Sequence, residues 1–242
     1  MQAVMPLRTL ELVVLFLVVF SVSNHVDADV KLAGQPNLSP DGKKLLFVRC
    51  GDIWRVSASG GQADRLTSHP ATESQPMVSP NGKHIAFVSN RTGSQQVYVM
   101  PAAGGEAQQL TFHSEGYSLQ DWYPDGKSLL VLASRDHHWR SSSRFFRISS
   151  RKRSAEQLLF NGYGDEGKIS PDGKTLLFVR EGERWWRKGY VGSRSAQIWT
   201  FGLESGKFKK VVDTVACDRS PVWNNDSSSF YYCSSNGARN GA

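Results

Sequence analysis

The chain of 242 residues has only three cysteines, Cys50, Cys217 and Cys233. That is too few for a domain stapled by disulfides, and their spacing matches no zinc-binding pattern. Two readings of them stand: Cys217 and Cys233 pair in an oxidising compartment, or all three are unpaired residues on strands. A second long apolar run is also missing, so beyond the N-terminal segment no stretch could span a bilayer as a helix. Catalytic signatures are absent as well. There is no Gly-x-Ser-x-Gly elbow, no His-Glu-x-x-His and no phosphate-binding loop. Gly192-Ser193-Arg194-Ser195 lacks the strand-turn-helix setting of a nucleophile, and no Ser, His and Asp arrangement marks a nucleophile with its base. His137 and His138 are adjacent, so on a strand they point to opposite faces and do not readily share a metal. No catalytic residue, metal site or cofactor is expected.

With 39% hydrophobic and 21% charged residues, the composition is that of an ordinary globular chain able to bury one sizeable core. The N-terminus carries Arg8, an unbroken apolar run from Leu12 to Phe20, and the small residue Ala28 after Val26-Asp27. This pattern predicts a secretory signal over residues 1–28, cleaved after Ala28, and hence an exported protein, periplasmic or secreted. Glu11, at the front of the run, is atypical. The alternative is an uncleaved anchor, for which the run is short. The formal net charge of +7 suits nucleic acid, anionic lipid or acidic substrates. Export makes nucleic acid the least fitting of these, and the charge is equally read as solvated surface. Asn37-Leu38-Ser39 and Asn90-Arg91-Thr92 match glycosylation sequons, which also arise by chance.

The organising feature is a repeat. Ser39-Pro40-Asp41-Gly42-Lys43 is followed by Lys44-Leu45-Leu46-Phe47-Val48, and the pattern returns at Ser79-Pro80-Asn81-Gly82, Tyr123-Pro124-Asp125-Gly126 and Ser170-Pro171-Asp172-Gly173. A worn fifth copy is read with Trp223 in the place of Ser39 and Asn224 in that of Pro40. Pro presets φ at the second position of a turn, Asp or Asn suits the third, and Gly takes the left-handed position after it. Pro40, Gly42, Pro80, Gly82, Pro124, Gly126, Pro171 and Gly173 are therefore structural turn residues. The apolar run after each Lys is too short for a helix and reads as a strand buried on both faces. A third strand follows (Asp52-Ile53-Trp54-Arg55-Val56 and its equivalents), then a Gly-rich hairpin and a fourth strand, with a short first strand before each turn. Four strands at a period of about 40 to 50 residues predict an all-β fold, a β-propeller of four-stranded blades. The blades fall at about 36–69, 73–112, 117–160 and 167–213, with a partial fifth at 219–235. Four complete blades and one partial make an open arc within 35–242, whose unpaired edges invite self-association.

The spacing of the turns grows along the chain, mainly in the loop between second and third strands. Lengthening loops on one face of a repeat protein often mark its working face. In a four-stranded meander this face also carries the links between blades, so it gathers His69, His113, His137, His138, Trp139, Trp185, Trp186, Arg187 and Lys188. Aromatic and Arg residues dominate interface hot spots, which suggests a face for binding peptide or protein. Equally, such loops fold over and bury their own tryptophans.

Ser-Pro-Asp-Gly-Lys-x-Leu-x-Phe, x-Ile-Trp-x-Val and Gly-Gly-x-x-x-x-Leu-Thr together resemble the WD-like propeller repeat of TolB and of tricorn-type proteases. Leu110-Thr111-Phe112-His113, Arg187-Lys188-Gly189-Tyr190-Val191-Gly192 and Arg219-Ser220-Pro221-Val222-Trp223 look more like tricorn protease homologues. The resemblance covers residues 35–235. It implies a non-catalytic propeller segment of a serine-type peptidase that binds or gates peptide or protein substrates. It transfers no catalytic residue, because the family's protease region has no counterpart in these residues. The expectation is a product truncated before that region. The alternative is an independent TolB-like periplasmic interaction module.

Overall fold

The Pro-Asp-Gly repeats fold as hairpin turns because each residue meets a local demand. The structure is a computed structural model that describes residues 33–135, 143–180 and 194–235. The first turn is closed by hydrogen bonds from Gly42 N to Ser39 O and from Ser39 N to Lys44 O, both 2.8 Å. Asp41 Oδ1 accepts the Ser39 hydroxyl at 2.6 Å and the Lys43 N–H at 3.1 Å. The Ser39 hydroxyl oxygen in turn accepts Lys44 N at 2.9 Å. Gly42 has φ of 70°, a region that a residue with a Cβ enters at a cost of about 1–2 kcal/mol. Ser79-Asn81 and Ser170-Asp172 repeat these contacts.

The fifth copy forms the same turn one residue later than the sequence pattern suggests. Ser227 N donates to Asn224 O, and Asn224 N to Ser229 O. Asn224 therefore takes the place of Ser39, and Ser227, with φ of 60°, that of Gly42. The displacement was hidden because the left-handed position holds a serine.

The turns join strands into antiparallel sheets. β1 (Ala33–Leu38), β2 (Lys44–Arg49), β3 (Asp52–Ser57) and β4 (Asp64–Arg65) form the first in that order. The second is β5 (Glu73–Val78), β6 (His84–Ser89), β7 (Gln96–Pro101) and β8 (Gln108–Gln109). The third is β9 (Ser118–Trp122), β10 (Ser128–Ala133), β11 (Arg144–Ser149) and β12 (Gln157–Leu158). The fourth is β13 (Asp165–Ile169), β14 (Thr175–Arg180), β15 (Gln197–Gly202) and β16 (Phe208–Lys210). β17 (Asp218–Trp223) and β18 (Phe230–Ser234) form a two-stranded fifth sheet. The fold class is therefore the one the repeats predict: an all-β propeller arc of four full blades and a partial one, unclosed.

The core lies between blades. On β10, Leu129 and Val131 join a cluster with Ala86, Val88 and Val99 of the second blade. Their neighbours Leu130 and Leu132 join Ile169, Leu176 and Phe178 of the fourth. This is the period-two alternation of a strand covered on both faces. Burial on both faces holds for β6, β10 and β14, but not for β2 or β18. Leu46 packs on the second blade while Leu45 and Phe47 stay partly exposed. Phe230 packs on the fourth while Tyr231 is 72% exposed. Burying both faces takes a blade on each side, and among the described residues these two strands have one neighbour.

Aromatic side chains seal three junctions next to the hairpin turns. Trp122 enters the junction of the second and third blades, its indole N–H donating to Met77 O at 3.1 Å. Trp223 does the same between the fourth and fifth, donating to Lys168 O at 3.1 Å. Between the third and fourth blades the matching residue is Ile169, and the opposite wall supplies a ring instead. Tyr123 stands there in the place of the turn serine, with the Arg147 guanidinium 4.3 Å from its ring centroid. Burial pushes the Tyr123 phenol up to about 12.

Candidate interaction surfaces

The first strands of the blades line a cavity of about 380 Å³, bounded by Gln35, Gln75, Gln120, Glu166, Lys168 and Ser220 among others. Each of these strands is bulged. In four of them the bulge carries positive φ at a non-glycine residue: Gln35 (54°), Gln75 (52°), Glu166 (51°) and Ser220 (54°). A bulge re-aims a side chain. Here it aims the side chain at the backbone of the next blade. Gln35 Oε1 accepts Gln75 N, and Gln75 Oε1 accepts Leu119 N at 2.8 Å. Gln120 Oε1 accepts Gly167 N at 3.1 Å, and Glu166 Oε2 accepts Ser220 N. The cavity wall is thus a relay of side-chain-to-backbone bonds. Sequence reasoning missed it because Gln, Glu or Ser rather than glycine takes the positive-φ position of the bulge; the available signal was the Gln35-Pro36, Gln75-Pro76 and Ser220-Pro221 dipeptides.

Of the residues assigned to a binding face, His69 and His113 are described, in successive blade links. Each is preceded two residues earlier by a threonine that accepts a third-strand N–H: Ile53 N to Thr67 Oγ1 and Val97 N to Thr111 Oγ1, both 2.9 Å. Each imidazole Nδ1 then accepts a backbone N–H, from Ala71 at 3.0 Å and from Glu115 at 3.2 Å. Both rings therefore fasten links, in separate blades. His113 also borders a cavity of about 300 Å³ with Phe112, Arg135, Arg153 and Glu156. Phe112 is 51% exposed, and the Arg153 guanidinium lies 4.6 Å from its ring centroid. Arg135, at the entrance to 136–142, pairs with Glu156, which also accepts the Tyr117 hydroxyl at 2.7 Å. His137, His138, Trp139, Trp185, Trp186, Arg187 and Lys188 lie outside the described residues.

Charge is buried at one position of the second blade. Glu73 is fully buried and pairs with Arg91 at 2.9 Å. The Arg91 guanidinium lies 4.7 Å from the Tyr98 ring centroid and 5.5 Å from that of Phe87. Glu73 Oε1 also accepts the Ser89 hydroxyl, whereas Oε2 is buried with no hydrogen-bond partner. Among the described residues, no three His, Cys, Asp or Glu side chains converge as metal ligands, and Cys50 and Cys233 are exposed free thiols. The sequon residue Asn37 is committed to the fold, its Oδ1 accepting Val78 N at 2.9 Å. No described helix is long and apolar enough to cross a membrane.

Blades of four antiparallel strands, packed face to face with first strands innermost, define a β-propeller of the WD-like kind. The family model of the tricorn protease N-terminal beta propeller domain matches residues 30–240, and the chain belongs to that family. It is 27% identical over 202 residues to Tricorn protease homolog 1 of Streptomyces coelicolor, covering 79% of this chain and 18% of that protein. The chain thus spans about a fifth of the length of this curated relative. Among solved structures, one described as TolB from Agrobacterium tumefaciens is 25% identical with a TM-score of 0.69, over 84% of this chain and 70% of that one. The crystal structure of the tricorn protease matches with a TM-score of 0.65 at 22% identity, over 79% of this chain and 19% of that chain.

Proposed function

We propose that this chain is the exported, non-catalytic propeller region of a tricorn-like serine peptidase, and that it binds or gates peptide or protein substrates. The observation that carries the reading is the rim cavity at His113, where a half-exposed Phe112 is capped by Arg153. An exposed aromatic beside an Arg is the composition of an interface hot spot. Trp139, Trp185 and Trp186, which the sequence reading assigns to the same face, are further residues of that type. Family membership supports the link to proteolysis through the rest of such a protein. The test compares binding of a fluorescent peptide library by the wild-type chain, Phe112→Ala/Arg153→Ala and Trp185→Ala/Trp186→Ala. Weaker binding by either double variant is expected, and equal binding by all three would remove this face from consideration.

A second reading, an independent TolB-like interaction module, is favoured by the larger share of the Agrobacterium TolB chain that is matched. It predicts a defined soluble species that retains an envelope protein in pull-down.

A further inference from the structure

The junction between the first and second blades lacks the aromatic seal present at the other three. The position filled by Trp122 and Trp223 is Val78 here, and the position filled by Tyr123 is Ser39. A cavity of about 600 Å³ lies at this place, bordered by Ser39, Lys44, Leu46, Arg55, Val78 and Lys83 among others. The sealed third junction keeps only about 290 Å³. The turns also stand apart. A Cβ placed on Gly126 would lie 3.9 Å from Asn81, and one on Gly173 3.9 Å from Pro124, whereas one on Gly82 meets nothing within 4 Å. A volume of this size falls within the range of about 300–1,000 Å³ typical of ligand sites.

From these observations we infer that this junction is a binding slot for a tryptophan side chain presented by an acidic segment of a partner protein. The chain itself supplies the template for the occupant. Two equivalent slots hold an indole whose N–H meets a first-strand carbonyl, Met77 O or Lys168 O; the matching residue of the first blade is Asn37. Leu46 is no obstacle, since its equivalent Leu177 packs beside Trp223. Arg55 forms one wall, held by Ala102 O at 2.9 Å and by Asp64 at 3.1 Å. Its equivalent, Arg147, stacks on the ring that seals the third junction, so a guanidinium is already in place for an incoming indole. Lys44, Lys83 and Arg55 outnumber Asp41 around the opening, which favours acidic residues flanking the tryptophan. The slot lies on the hairpin-turn side and does not depend on the rim cavity at His113.

The test measures fluorescence anisotropy of a labelled Glu-Asp-Trp-Asp-Glu peptide against the full chain, with Glu-Asp-Ala-Asp-Glu and indole-3-acetate as comparators. The tryptophan peptide is expected to bind about tenfold or more tightly than the alanine peptide, as for a buried aromatic anchor. Val78→Trp, which supplies the missing seal, should abolish this binding and raise the thermal midpoint. Ser39→Tyr fills the slot from the opposite wall and should act likewise if Val78→Trp does not fold. Equal binding of tryptophan and alanine peptides, or unchanged binding by either folded variant, would overturn the slot. Indole-3-acetate binding as tightly as the peptide would overturn a protein segment as its occupant.

Discussion

The side-chain oxygen of Gln75 accepts the backbone N–H of Leu119 at 2.8 Å, so the first strand of the second blade holds that of the third. The Gln75 amide nitrogen adds a bond to Ser118 Oγ at 2.9 Å, and its own backbone N–H is held by Gln35. Gln75→Met keeps the length of the side chain and the backbone preference but removes the amide. Leu119, 2% exposed, then keeps an N–H without its partner. A buried donor left unsatisfied costs about 1–3 kcal/mol. Urea denaturation should show a loss of that size, against little change for Gln108→Met, an exposed residue on an outermost strand.

Arg91 neutralises the buried Glu73 and lies over two rings. Removing one member of a buried pair typically costs about 3–5 kcal/mol, because the remaining charge is stranded. Arg91→Ala should therefore be among the most destabilising changes in the second blade, while Glu73→Gln/Arg91→Met should recover much of the loss. A double-mutant cycle in denaturant measures the coupling.

The turn carboxylates set a low-pH limit. The Ser39 hydroxyl and then the Lys43 N–H hold Asp41 below its ordinary value, and Ser170 with Lys174 do the same for Asp172. A lowered folded pKa means that folding favours the carboxylate. The stabilisation is complete above the unfolded value of about 4 and disappears as pH falls through the lowered folded value. Asp41→Asn/Asp172→Asn should lower the thermal midpoint somewhat at neutral pH and flatten its fall below about pH 4, so that variant and wild type converge in acid. Asn81 already forms the same turn without a titrating group, its Oδ1 accepting Ser79 Oγ at 2.8 Å and Lys83 N at 3.0 Å.

Export with cleavage after Ala28 predicts a mature N-terminus at Asp29. Edman sequencing of the chain recovered outside the cytoplasm should begin Asp29-Val30-Lys31. A start at Met1 would favour the uncleaved anchor.

The blades were legible because the turn motif is a local device: Ser, Pro, Asp and Gly each meet their own requirement within a few residues. Where the device loses its glycine, as at Ser227, the reading slipped by one residue. The relay around the cavity was hidden for a related reason. Gln35, Gln75 and Glu166 accept strained backbone to bond a strand some 40 to 54 residues away, and the proline after Gln35 and Gln75 is a local trace that does not record the distant partner. The burial of β6 and the partial exposure of β2 follow from neighbours rather than from composition, since both strands carry similar apolar runs. His69 and His113 also carry a local role that the sequence did not show, their Nδ1 atoms accepting backbone N–H groups of the blade links. Val78 gave no signal until its equivalence with Trp122 and Trp223 was known.

The alternation along β10, with one set of side chains facing the second blade and the other set the fourth, makes every junction a separate interface. Residues that shape one junction do not enter the next. A substitution at a position such as Val78 can therefore empty or fill a single seam while the other seams keep their partners. In such a molecule novelty is acquired seam by seam: inheritance of the architecture and divergence of its surfaces proceed on different residues.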